Sequence, residues 1–117
     1  RMIEKSVEDA CDIYSVISIG EVHEHPSIMK KIVGGRYLDN FCENMEMKYR
    51  RQDNDVAYFP YGVAYIVKTD SFLKEKTFYT KKCGFHKIQR YQCYEIDDMY
   101  DFLAIENILN YKKKEEL

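Results

Sequence analysis

The chain has 117 residues, a formal net charge of −2 and 32% charged residues. That length suits one unit with a modest core. The charge balance offers no basic excess for a phosphate backbone, so no nucleic-acid partner is expected. No apolar run reaches the length of a membrane span, and residues 1–12 carry no secretory signal.

Ile3, Val7 and Ala10 recur at helical spacing, which predicts an amphipathic helix at the start of the chain. Residues 14–22 (YSVISIGEV) are short and β-branched and read as a buried strand. A helix leading into a buried strand is the rhythm of an α/β fold. Residues 23–26 (HEHP) break that strand, because proline cannot donate to a ladder. Gly34-Gly35 marks a turn. Residues 48–59 are polar and aromatic without helical period and read as an extended arm or hairpin. Pro60-Tyr61-Gly62 signals another turn and launches a second strand over residues 63–68. Asp70 is expected to cap a short helix over residues 71–76. Residues 85–91 read as a third strand. Asp98 is expected to cap the strongest helix, residues 99–113, with Met99, Phe102, Leu103, Ile105 and Leu109 on one face. Lysines 112–114 suit the negative end of its dipole, and the tail from Lys112 is expected to fray. The organisation is one α/β unit over residues 1–117 with an irregular central arm.

The densest chemistry lies in residues 94–106 (YEIDDMYDFLAIE). Glu95 and Asp97 stand two apart at the end of an extended segment, and in a strand such residues share a face. Two hard oxygen ligands before a helix suit Mg²⁺, which takes one or two carboxylates plus substrate phosphates. A solvated acidic turn with a capping residue accounts for the same residues. His23 and His25 form an HxH with no third ligand nearby, and Cys83 with His86 is equally unsupported as a metal pair. The four cysteines, Cys11, Cys42, Cys83 and Cys93, contain no CxxC. They read as reduced thiols of a cytoplasmic protein.

Read together, Arg50-Arg51-Gln52, the run Pro60 to Ile66 (PYGVAYI), Phe78-Tyr79 and the segment from Glu95 resemble the C-terminal half of the CMP-N-acylneuraminate synthetase family. Its pattern is roughly RRQ, PNGAIYI, an aromatic pair, then DIDxxxDFxxAE. The spacings agree without a gap from Arg51 to Asp97. The likeness reaches back to residues 15–22 and to His25-Pro26. It implies the C-terminal portion of a Rossmann-like nucleotide-diphospho-sugar transferase fold, with an extended dimerisation arm over residues 26–61. It also implies a cytidylyltransferase that joins CTP to a nonulosonic, sialic-type acid, giving a CMP-sugar and pyrophosphate. Its partners would be those two substrates and a second copy of itself in a homodimer.

By the same resemblance, Glu95 and Asp97 fall on the metal-associated catalytic carboxylates, with Mg²⁺ as cofactor. Glu95 stands where aspartate is usual. Arg51 falls on the arginine of the sugar-acid site, where a guanidinium grips a carboxylate through two hydrogen bonds. Tyr65 falls on a tyrosine of the sugar pocket, and Phe78 and Tyr79 on the aromatic pair beside the acyl substituent. Without the resemblance, Arg51 reads as a surface residue and the three rings as packing. Tyr61 replaces the asparagine of the family turn, which leaves N-acetylneuraminate, legionaminate and pseudaminate types open. A lysine should follow His25-Pro26, and Lys30 or Lys31 can serve.

The family's glycine-rich basic loop for the triphosphate, of the type ARGGSKxxxxKN, has no counterpart among these residues. The 117 residues are therefore expected to be inactive alone. Two readings stand: the sugar-side half of the enzyme, or a non-catalytic remnant acting as a small dimeric α/β interaction or sugar-acid-binding module.

Overall fold

The β-branched run after Tyr14 does form a strand, β1 (Ser15–Glu21). The computed structural model describes residues 13–43 and 55–117. The helix expected from Ile3, Val7 and Ala10 lies outside them. Val16 and Ile17 project to opposite faces of β1, yet they are only 0% and 2% exposed. A strand covered on both faces needs a continuous apolar run rather than an alternating one. Each such side chain contributes about 1.5–3 kcal/mol on burial.

The chain divides into two compact units, and the first comprises the residues up to Gly20 together with Pro60–Leu117. In it β1 lies between β5 (Tyr65–Val67), which runs antiparallel, and β6 (Cys83–Lys87), which runs parallel. The register sets Val16 beside Ile66 and Gly84, and Ile17 beside Tyr65 and Phe85. Buried hydroxyls are satisfied: Ser15 Oγ lies 2.7 Å from Thr80 Oγ1. Ser18 Oγ donates to the Tyr61 carbonyl at 2.6 Å and accepts from the Ala64 amide at 3.2 Å. Ser18 therefore ties the 60–64 turn to the central strand. An unpaired hydroxyl there would carry a desolvation cost of about 1–3 kcal/mol.

Tyr61, the departure from the family turn, is accommodated by Gly20. A Cβ at residue 20 would come within 2.8 Å of the Tyr61 ring and would also collide with Cys93 Sγ. Cys93 is buried, and burial raises its thiol above the ordinary cysteine range, opposed in part by Arg90.

Two helices complete this unit. Helix α1 (Thr69–Glu75) begins earlier than the sequence suggests. Lys68 occupies the cap position without a side-chain bond, and Asp70 sits in the first turn instead of capping it. There its charge still complements the helix dipole. Helix α2 (Met99–Glu115) starts where expected, with Asp98 accepting from the Asp101 amide at 3.0 Å. Asp101 answers by accepting from the Asp98 amide at 3.1 Å, a reciprocal cap. The helix continues through the residues expected to fray, and Lys112 pairs with Glu115 at 2.9 Å. None of its residues is buried. The third strand is shorter and earlier than the sequence indicates. It ends at Lys87, and Arg90–Gln92 forms a 3-10 turn closed by Gln89 and Gln92.

The second unit is Glu21–Phe59. The stretch read as an irregular arm contains a regular hairpin, β2 (Lys30–Val33) with β3 (Tyr37–Asn40), in register Ile32 to Leu38. Gly34 and Gly35 make its turn at φ of 59° and 65°, where glycine alone is unstrained. His25 caps a 3-10 turn at Pro26–Ile28 by accepting the Ser27 amide at 3.1 Å. Tyr58–Phe59 forms the short strand β4. Most of the stretch 48–59 lies outside the described residues. Among the described residues no helix is long and apolar enough to cross a membrane.

Candidate functional site

Strand β5 carries Tyr65 to the edge of the first unit, and the chain then turns through α1. Lys76 ends that helix in the left-handed conformation at φ 55°, its amide bonded to the Phe72 carbonyl. This reversal returns Phe78 and Tyr79 to Tyr65. The Tyr65 and Phe78 rings are 5.8 Å apart and tilted by 53°, and Tyr65 meets Tyr79 edge-on at 6.3 Å. Such offset and edge-to-face pairs are the favoured aromatic geometries. A fourth ring, Phe72 of α1, lies 5.2 Å from Phe78. Sequence reading missed Phe72, although its spacing of six from Phe78 across a helix end was visible.

The four rings grade from sheltered to open. Phe72 is half-buried, whereas Phe78 and Tyr79 are 42% and 56% exposed. The Tyr79 phenol hydrogen-bonds to Tyr65, and that bond, with some desolvation, holds its pKa above the ordinary tyrosine value. The Tyr65 hydroxyl in turn reaches the Pro60 carbonyl at 3.5 Å. The result is an aromatic wall with a hydroxyl pair at one end.

Glu95 and Asp97 are not on a strand face, because residues 93–96 adopt no regular structure. Cys93 and the reciprocal cap at Asp98 anchor the segment at either end and leave it irregular between. Glu95 Oε1 accepts the Gly62 amide at 2.6 Å, joining the acidic segment to the Pro60-Tyr61-Gly62 turn across 33 residues of sequence. The Asp97 amide donates to Asp101 at 3.0 Å. Both carboxylates are exposed hard oxygen donors. Among the described residues no group of three or more His, Cys, Asp or Glu could hold a metal ion. Each is a donor of the type taken by a cation that binds one or two protein carboxylates and fills its other positions with water or phosphate.

Lys30 belongs to the second unit, where its ammonium donates to Asn40 across the hairpin. Lys31 approaches Glu43 at 3.9 Å, an exposed pair of little energetic weight. Arg51 lies outside the described residues. The structure thus brings together Tyr65, Phe78 and Tyr79, and separately joins Glu95 to the turn at Gly62.

An N-acylneuraminate cytidylyltransferase of Streptococcus agalactiae serotype V is 28% identical over 94 residues, 80% of this chain. The resemblance read from the sequence is borne out. The corresponding proteins of serotypes III and Ia are each 27% identical over the same length. The chain spans 22% of the length of these relatives. No family model matches it.

Proposed function

We propose that this chain is the sugar-acid-binding and dimerisation part of a Rossmann-like cytidylyltransferase that makes CMP-N-acylneuraminate and pyrophosphate from CTP and a sialic-type acid. The observation that carries the reading is the convergence of Tyr65, Phe78 and Tyr79. Each stands where a matching motif has a sugar-site residue, and the three meet although a helix separates Tyr65 from the pair. The match to relatives named for that activity supports it.

In this reading the anomeric hydroxyl of the sugar acid attacks the α-phosphorus of CTP, and pyrophosphate leaves. The aromatic wall receives the acyl substituent, and the resemblance assigns Arg51 to the sugar carboxylate and Lys30 to the sugar acid. Glu95 and Asp97 supply the anionic end. Mg²⁺ held there would offset phosphate charge and lower the cost of ionising the attacking hydroxyl. Asp97 has the freer carboxylate, since Glu95 is shared with Gly62. The triphosphate loop is not among these residues, so the chain alone is expected to form no CMP-sugar.

Calorimetric titration of N-acetylneuraminate into the purified chain tests the reading. Arg51→Ala should weaken binding by about 2–5 kcal/mol, the usual consequence of removing one partner of a hydrogen-bonded charge pair. Equal binding by the two proteins would refute the role of Arg51.

A further inference from the structure

We propose that Phe72, on helix α1, is a positioning residue that sets where the Phe78 ring stands, and so sets the size of acyl substituent the aromatic wall admits. The inference rests on the sugar-site reading and extends it to a residue that no motif marks.

The argument starts from how the loop after α1 is held. The Tyr79 amide donates to Thr77 Oγ1 at 3.0 Å, and the Lys81 amide donates to Glu75 Oε2 at 3.2 Å. Thr80 is buried, with its hydroxyl 2.7 Å from Ser15 on the central strand. The backbone of 77–81 is thus fastened at three points, none of which involves the Phe78 side chain. That ring is 42% exposed and keeps rotational freedom unless neighbouring rings restrain it. Tyr65 restrains it from the strand side at 5.8 Å, and Phe72 from the helix side at 5.2 Å.

Phe72 is suited to that task. Its backbone is fixed at both ends of α1: its amide bonds the Lys68 carbonyl at 2.9 Å, and its carbonyl accepts from Lys76 at 2.8 Å. Its side chain is half-buried and so cannot retreat into solvent at no cost. A ring removed there leaves space behind Phe78, into which Phe78 can settle. The wall then recedes from the ligand side, and a longer acyl chain finds room.

The test measures the affinity of N-acetylneuraminate and of its N-butanoyl analogue for the wild-type chain and for Phe72→Ala, Phe72→Leu, Phe72→Tyr and Phe78→Ala. The readout is the ratio of the two affinities, which a general loss of stability would leave unchanged. Phe72→Ala, or Phe72→Leu if the alanine variant does not fold, should shift the ratio toward the butanoyl compound by roughly tenfold, the lower end of what a methylene-sized space discriminates. Phe72→Tyr keeps the ring and should retain the wild-type ratio. An unchanged ratio in a folded Phe72→Leu, while Phe78→Ala loses binding, overturns the role of Phe72 and leaves the sugar site standing. Equal binding by wild type and Phe78→Ala, or no binding by wild type, overturns the sugar-site reading and this proposal with it.

Discussion

Tyr79 shows how a ring that is more than half exposed can still be chemically constrained. Its phenol bonds to Tyr65, and that bond favours the protonated form. The folded chain therefore holds this proton more tightly than the unfolded chain does. The contribution to stability is complete below the ordinary tyrosine range, near pH 10. It declines as pH rises through the raised pKa, where the folded state must also release the proton. An absorbance titration of tyrosinate should find one phenol ionising later than the rest. Tyr65→Phe should bring it back toward the others, and a titration that does not respond to Tyr65→Phe would show that the bond is not the cause. Gly20 makes a related point about reach. The family turn carries asparagine where this chain has Tyr61, and the larger ring fits because residue 20 of the neighbouring strand has no side chain.

At the scale of elements, helix α2 gives the clearest link from sequence to structure. Asp98 and Asp101 cap each other's amides, and the basic residues at 112–114 sit in the last turn. Since the helix buries no residue in this unit, its terminal bonds carry an unusual share of its stability. Asp98→Ala should cost about 0.5–2 kcal/mol, typically near 1. Loss of helical circular dichroism at reduced melting temperature would measure it, and an unchanged melt would mean that the cap is dispensable. The start of α2 was legible because capping is local. So was β1, whose β-branched run needs no partner to be recognised. The end of β6 was not legible: Ile88 and Tyr91 supply further residues that suit a strand, but the Gln89–Gln92 cap diverts the backbone into a 3-10 turn. The β2–β3 hairpin escaped notice because its strands have only four residues each and both faces mix lysine with aliphatic side chains. In the site, motif order named Tyr65, Phe78 and Tyr79, which lie together in the structure, but not Phe72 or the shape of the acidic segment. Two carboxylates at i and i+2 imply one face only if the backbone is a strand, and the Glu95 bond to Gly62 belongs to an irregular segment.

At the scale of the whole molecule, the second unit poses a problem that a second copy would solve. Ile32 and Leu38 are register partners on the hairpin, and each is 73% exposed. Val33 and Tyr37, the next register pair, are exposed on the opposite face of the hairpin, and Phe41 is exposed just beyond it. A cross-strand pair of large aliphatic residues normally faces a core, and a cluster of this kind marks an association surface. Closed two-fold pairing is the commonest way for identical chains to cover one, since each copy offers the same patch to the other. The chain is therefore expected to sediment as a dimer at micromolar concentration. Ile32→Glu combined with Leu38→Glu should yield monomers, because burying two uncompensated carboxylates per copy at such an interface costs more than the apolar contact returns. Both positions are open to solvent in the single chain, so the variant should retain its fold, which far-ultraviolet circular dichroism would verify. A wild-type chain that stays monomeric as concentration rises would remove the dimerisation role from this hairpin. A doubly substituted chain that still sediments as a dimer would move the interface elsewhere. A monomeric variant that keeps sugar-acid affinity would separate assembly from binding, and one that loses both would tie the sugar site to the two-fold.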